Sequence, residues 1–334
     1  MKKAIIIATI SAIAFLSCAK QDNLNMTGRK VPLSVKAGIS IDPSTKAIVA
    51  GTGFPDGAAI GVQILKNSDG SIYETGALTN VQFTFAEAGS SWSPATAFNL
   101  TATQGKVFAY YPYAAQGSND AIFTTVPVTL PATSNTGADT DYMYATPLTA
   151  VADLVSNSSG KNSASLSMNH ALAQVSFVVY TENYPGAGSL TQFKIEDATG
   201  GTTWIKTSKT AADDLAMDIT NGSITGGENG IITRTFGTPE TLGTVSPSAD
   251  AATLRTQVNA TTLVVPTVSM AAGDIKFTFT IDGKSSTAAN TSALSWEPGK
   301  QYIYKVKLSG TGLSISSVTI TEWTTVVVDD IDIN

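Results

Sequence analysis

An all-β fold built as β-sandwiches is what this sequence predicts, and three observations predict it. Apolar and polar residues alternate at period two along much of the chain. Clusters of Gly, Asn, Asp, Ser and Pro interrupt those alternating runs at short intervals. No apolar periodicity of three helical turns appears beyond the first 17 residues. Of the 334 residues, 43% are hydrophobic and 14% charged, which excludes a disordered chain. The length suits one large domain or two of medium size.

The chain opens on Met1-Lys2-Lys3, a short basic stretch, followed by a mainly apolar run from Ala4 to Leu16. A membrane-spanning helix needs about 20 apolar residues, so this run reads as an export signal. It ends in Leu16-Ser17-Cys18-Ala19, which has the form of a lipobox. Residues 1–17 are expected to be a lipoprotein signal peptide, with Cys18 diacylated once they are removed. Each buried CH₂ of an acyl chain contributes about 0.8 kcal/mol, so two or three chains make a stable anchor. Residues 18–30 are polar and read as a tether. The formal net charge is −6, and removing Lys2 and Lys3 with the signal brings it to −8. That balance argues against nucleic acid as a partner, because phosphate binding needs clustered Lys and Arg.

The first predicted strand carries Leu33, Val35, Ala37, Ile39 and Ile41 on one face. The same alternation recurs at Ile60-Val62-Ile64, Val81-Phe83-Phe85, Val107-Ala109-Tyr111 and Val126-Val128-Leu130. It returns at Val175-Phe177-Val179, Ile275-Phe277-Phe279-Ile281 and Tyr302-Tyr304-Val306-Leu308, and closes with Leu313-Ile315 and Val318-Ile320. Asn67-Ser68-Asp69-Gly70, Asp282-Gly283 and Glu297-Pro298-Gly299 supply turn chemistry between them. Short helical pieces fit only near 209–217 and 247–259. The polar stretch 155–165 is the predicted boundary between a first sandwich, 31–160, and a second, 161–334.

One Cys and one His confine the chemistry. An intramolecular disulfide is excluded, and Ser–His–Asp, Cys–His and His/Cys metal sites need combinations that one Cys and one His barely supply. His170 reads as a structural histidine hydrogen-bonded at a strand end. Asp139, Asp141, Asp213, Asp214, Asp329, Asp330 and Asp332 fall in turns, loops or the tail, with no pattern that pairs two across a cleft as glycoside hydrolysis requires. Asp139-Thr140-Asp141 lacks the Gly and distal Glu of a calcium loop. Trp92, Trp204, Trp296 and Trp323 are read as core residues. No enzyme activity and no cofactor are expected.

Several segments, in order, resemble the fimbrillins, pilus subunits of Bacteroides-type bacteria. Phe54-Pro55-Asp56-Gly57-Ala58-Ala59-Ile60-Gly61-Val62 resembles an early family segment, with Ala where the family usually has Asp. Ala109-Tyr110-Tyr111-Pro112-Tyr113, Asp141-Tyr142-Met143-Tyr144-Ala145 and His170-Ala171-Leu172-Ala173-Gln174-Val175 follow. Val264-Val265-Pro266, Gly299-Lys300-Gln301-Tyr302-Ile303-Tyr304 and Ile320-Thr321-Glu322-Trp323 complete the series. The resemblance implies two transthyretin-like β-sandwich domains in tandem and a role in type V pili. It also implies that a protease removes the first strand and that a C-terminal strand of a neighbouring subunit fills the groove.

The sequence has segments that suit each part. The strand carrying Leu33, Val35, Ala37, Ile39 and Ile41 would be the one displaced, and Lys46 in the turn-like stretch after it the cleavage site. Lys46 stands where the family often has Arg. Arg29 is the competing site, but cutting there would remove only the tether. Val326, Val327, Val328, Ile331 and Ile333 would form the donor strand, interrupted by Asp329. The expected partners are neighbouring pilin subunits and, through the lipid on Cys18, the outer membrane, which places the protein at the cell surface. The alternative is a surface lipoprotein that binds glycan or protein and never polymerises.

Overall fold

A computed structural model describes residues 30–39, 53–73, 79–115, 121–136, 138–147, 150–198, 204–208, 214–244, 247, 250–310 and 312–322. The fold is nearly all β, as the alternation predicts. A seven-stranded sheet runs in the order Ser34–Ile39, Ser163–His170, Met143–Ala145, Gly105–Tyr111, Ala59–Lys66, Val81–Ala86, Ser91–Pro94. Its pairs are antiparallel except the first, where Ser34–Ile39 lies parallel to Ser163–Met168. The sheet curls until its two edges meet. Trp92 Nε1 donates to the Ala37 carbonyl at 3.0 Å, and Leu33 N donates to the Phe98 carbonyl at 2.8 Å. Val31–Pro32 then pairs with Asn99–Leu100. Inside lie Val35, Ile60, Val62, Phe83, Phe85, Leu100, Val107, Leu166 and Met168.

The second half packs two sheets face to face. One has the order Ala260–Val264, Ala173–Glu182, Lys300–Ser309, Gly312–Glu322. The other runs Lys284–Ala289, Ile275–Ile281, Ser189–Asp197, Ile232–Thr241, Thr133–Asn135. Phe177 sits between them, with ring centroids 5.1–5.6 Å from Phe193, Phe277, Phe279 and Tyr304. The turn residues act as predicted at Asp282 and Gly283, both at positive φ (50° and 73°). These are the dihedrals a two-residue hairpin of type I′ needs, and Ile281 pairs with Lys284 across it. Asp250 caps the short helix Ala251–Thr256 by accepting from Thr253 N, which places helix within the expected 247–259. At 209–217, by contrast, the described end is the strand Ala216–Asp218.

Residue 160 does not separate the two sets of sheets. The strand Ser163–His170, just after the predicted boundary, belongs to the first sheet. Val155, Ser156 and Asn157 are buried, and Val155 and Asn157 bond back to Gly105 and Thr101. The polarity of this stretch reflects a local turn with Gly160 at φ 72°, not a linker. In the other direction, Thr125–Pro127 pairs with Ala216–Asp218, and Thr133–Asn135 pairs in parallel with Thr233–Thr235. A third core of Tyr110, Val126, Val128, Leu130, Tyr142, Leu172, Leu215, Met217 and Leu263 fills the seam.

The seam also holds a buried ion pair. Arg234 is 0% exposed, with Nη2 2.8 Å from Asp139 Oδ1 and Nε 3.2 Å from Oδ2. Its Nη1 donates to the carbonyls of Pro131 and Thr233 at 3.1 and 2.9 Å. Asp139 Oδ2 accepts further from Thr262 Oγ1 (2.7 Å) and Leu263 N (3.0 Å). Breaking such a pair leaves a buried charge without its partner, at about 3–5 kcal/mol. Arg234→Ala is expected to lower the stability of the full chain by that amount in chemical denaturation. A loss under about 1 kcal/mol would mean that Asp139 does not depend on Arg234.

Candidate functional site

The first strand has the properties of a removable edge. Within Ser34–Ile39 the backbone ladder is one-sided, the short parallel ladder from Ser34↔Ser163 to Ile39↔Met168. On the other side it meets Trp92 Nε1 and the Phe98 carbonyl. Its buried side chains add to that hold. Leu33, Val35, Ala37 and Ile39 are all buried in the first core, while Lys36 between them is exposed. Burying a Val, Leu or Ile side chain contributes about 1.5–3 kcal/mol. Another strand offering apolar side chains at the same spacing could replace this one without a new fold. The sequence-predicted strand is interrupted at Leu33, whose N–H turns to Phe98 rather than to Ser163–His170. Ile41, Cys18, Arg29, Lys46, Val326, Val327, Val328, Ile331 and Ile333 lie outside the described residues.

At the other end, Gly312–Glu322 is the edge of the four-stranded sheet. Ile320 is 60% exposed and Val318 38%. With Leu294, Tyr302, Tyr304 and Ile315 they line a groove of about 650 Å³. The segment carrying Val326 to Ile333 follows this strand in sequence.

The remaining candidates are structural. His170 closes Ser163–His170, with Nδ1 2.7 Å from Asp141 Oδ2, a strand-end contact of the expected kind. Asp139 is occupied by Arg234, Thr262 and Leu263. Trp92 and Trp296 are buried, and Trp296 Nε1 donates to Tyr304 Oη at 3.0 Å. Burial holds the Tyr304 phenol well above its ordinary range. Trp204 is half-buried. Among the described residues no helix is long and apolar enough to cross a membrane.

Two contributors were not found from sequence. Arg234 lies on the inward parity with Ile232, and that alternation was the available signal. Trp92 was assigned to a core, but nothing local showed that its N–H holds the first strand. The structure also explains Gly61. A Cβ there would lie 2.3 Å from the Tyr110 ring, which crosses the strand at that point and donates from Oη to the Ala114 carbonyl. Gly61 and Tyr110 are also paired residues of adjacent strands.

A family model described as fimbrillin-like matches residues 45–323. This chain belongs to the fimbrillin-like family. The fold is similar to that of a proposed cell adhesion protein from Bacteroides uniformis, at TM-score 0.57 and 18% identity over 88% of this chain and 99% of that one. It is also similar to a proposed cell adhesion protein from Bacteroides ovatus, at TM-score 0.60 and 14% identity over 89% and 99%. A fimbrial protein from Bacteroides vulgatus matches at TM-score 0.56 and 13% identity over 89% and 100%. No curated protein sequence matches the chain. Gly61, Tyr110 and His170 of the fimbrillin-like segments all have packing or hydrogen-bonding roles in the fold.

If the first strand is held mainly by its buried side chains, a charge among them should release it selectively. Val35→Asp is expected to speed hydrogen exchange of residues 34–39 by at least tenfold while strands 275–281 and 300–309 keep their protection. Equal loss of protection throughout the chain would show that the strand is not a separable element.

Proposed function

We propose that this fimbrillin-like chain is a structural pilus subunit that supports adhesion, delivered to the outer membrane as a lipoprotein and polymerised there by strand exchange. The observation that carries this reading is the first strand, an edge element with a buried apolar face and a one-sided backbone ladder. Family membership supports the pilus role, and a fimbrial protein from Bacteroides vulgatus shares the fold. Each half is read as a transthyretin-like sandwich, with the Ala171-Leu172 step as the junction between them.

In this reading Cys18 carries the lipid during delivery. Cleavage after Lys46 then separates the first strand and the lipid together from the rest of the subunit. The cut strand stays in place until a competing strand replaces it, because its side chains and not its covalent attachment hold it. A neighbouring copy contributes Val326, Val327, Val328, Ile331 and Ile333. Main-chain hydrogen bonds to the free edge of Ser163–His170 supply affinity, and alternate side chains set the register.

Cells expressing the full chain are expected to yield an SDS-resistant ladder of polymers. Lys46→Ala and deletion of 324–334 should each reduce the ladder to monomer. A ladder unchanged by both alterations would overturn the proposal.

A further inference from the structure

The edge strand of the second half is unguarded. Gly312–Glu322 pairs with Lys300–Ser309 and, among the described residues, with no strand on its other side. A free edge presents a row of backbone donors and acceptors, and proteins usually blunt it with Lys, Pro, a bulge or an inward-facing charge. Other edges of this molecule carry such devices. Ser34–Ile39 has exposed Lys36, Ser91–Pro94 ends on Pro94, and Lys284–Ala289 sets Lys284 directly opposite buried Ile281. Residues 312–321 contain no charged residue and no proline. Their bulge, at Ser316, leaves Ser317 to Glu322 in regular register with Lys305 to Lys300.

The core-facing side of this regular stretch is also uncovered. Val318 and Ile320 lie opposite Tyr304 and Tyr302, which are buried, yet are themselves 38% and 60% exposed. They border the groove of about 650 Å³ that Leu294 and Ile315 also line. Apolar side chains in a row on a free edge mark a surface for another strand.

The geometry points to the same strand of a second copy as the partner, paired antiparallel about a two-fold axis through Thr319. The two four-stranded sheets then become one continuous sheet. A two-fold contact uses the same patch on both copies and has to be self-complementary. In this register Thr319 lies opposite Thr319 of the copy, Val318 opposite Ile320 twice, and Glu322 opposite Ser316. Directly opposed apolar side chains are the contacts that stabilise a strand pair. No like charges meet, although the net charge of −6 opposes close approach of two copies in general. Centring on Val318 would leave Ile320 opposite Ser316, and centring on Ile320 would set Val318 opposite Glu322. On the pilus reading the contact joins subunits of neighbouring fibres side by side, but the pairing itself does not require strand exchange.

Sedimentation equilibrium of the uncut chain from residue 18, with Cys18→Ser so that no lipid is attached, tests the pairing. A monomer–dimer equilibrium between about 1 and 100 µM is expected, with Ile320→Lys weakening it roughly tenfold or more. Ile320 is largely exposed in the single copy, so this substitution leaves the fold in place. Thr319→Cys, directly opposite itself and within the Cα–Cα window of a disulfide, about 4.4–6.8 Å, should give a covalent dimer on oxidation, and Ser314→Cys should not. A chain that stays monomeric, or a dimer that tolerates Ile320→Lys, would overturn the proposal. A dimer linked through Ser314→Cys and not through Thr319→Cys would overturn it as well. Dimers that form only after deletion of 324–334 would mean that the chain's own tail covers the groove, with the same consequence. None of these results touches strand exchange, which is read from cleaved protein.

Discussion

One continuous run of chain, Ser163–His170, then Ala171-Leu172, then Ala173–Glu182, belongs to both halves of the molecule, and the architecture depends on it. Its first part receives Ser34–Ile39 on one side and Met143–Ala145 on the other. Its second part lies between Ala260–Val264 and Lys300–Ser309. The two residues between the parts are fully buried. With only the two-residue bend Ala171-Leu172 between the two strands, the sheets they belong to are held next to each other at that point. The seam around it is closed by the 125–139 segment, which pairs with strands of the second half, and by Asp139 with Arg234.

This arrangement is what the proposed exchange of the first strand relies on. Ser163–His170 is held from its other side by Met143–Ala145 and continues into the second half. The edge it offers to the first strand persists when that strand leaves. The first strand contributes side chains to a core, and its backbone pairs with Ser163–Met168 through 34–39 and with Asn99–Leu100 through Val31–Pro32. Its loss exposes a groove with a preformed ladder edge on one side and Trp92 with Phe98 on the other. An exposed edge of this kind is a template for pairing with another chain. In the proposed assembly, a subunit that keeps its first strand until cleavage is protected from premature association.

Much of the fold was legible because period-two alternation records burial directly. Phe277 and Phe279, or Tyr302 and Tyr304, could hardly face water together, and all four are in the core. Asp282-Gly283 was legible because few residue pairs adopt two successive positive φ values. The partition of the chain was not legible in the same way. Strand partners far apart in sequence, such as Ser34 and Ser163, leave no local trace, and a polar run such as 155–165 records solvent contact at a turn rather than a break between cores. His170 was placed correctly at a strand end, whereas the use of Asp139 required knowing that Arg234 and Leu263 converge on it. In the candidate site, the apolar face of the first strand was plain from sequence. The walls of its groove were not, because Trp92 and Ser163–His170 approach it only through the curl of the sheet.

The central claim is that the first strand is a temporary occupant of its groove. Intact-mass measurement of subunits released from polymers on the cell surface tests it most directly. The account predicts a single N-terminus at Ala47, with no lipid and no residues of the 31–41 segment. Polymerised subunits that retain Cys18 with its lipid, or begin at Lys30, would contradict it.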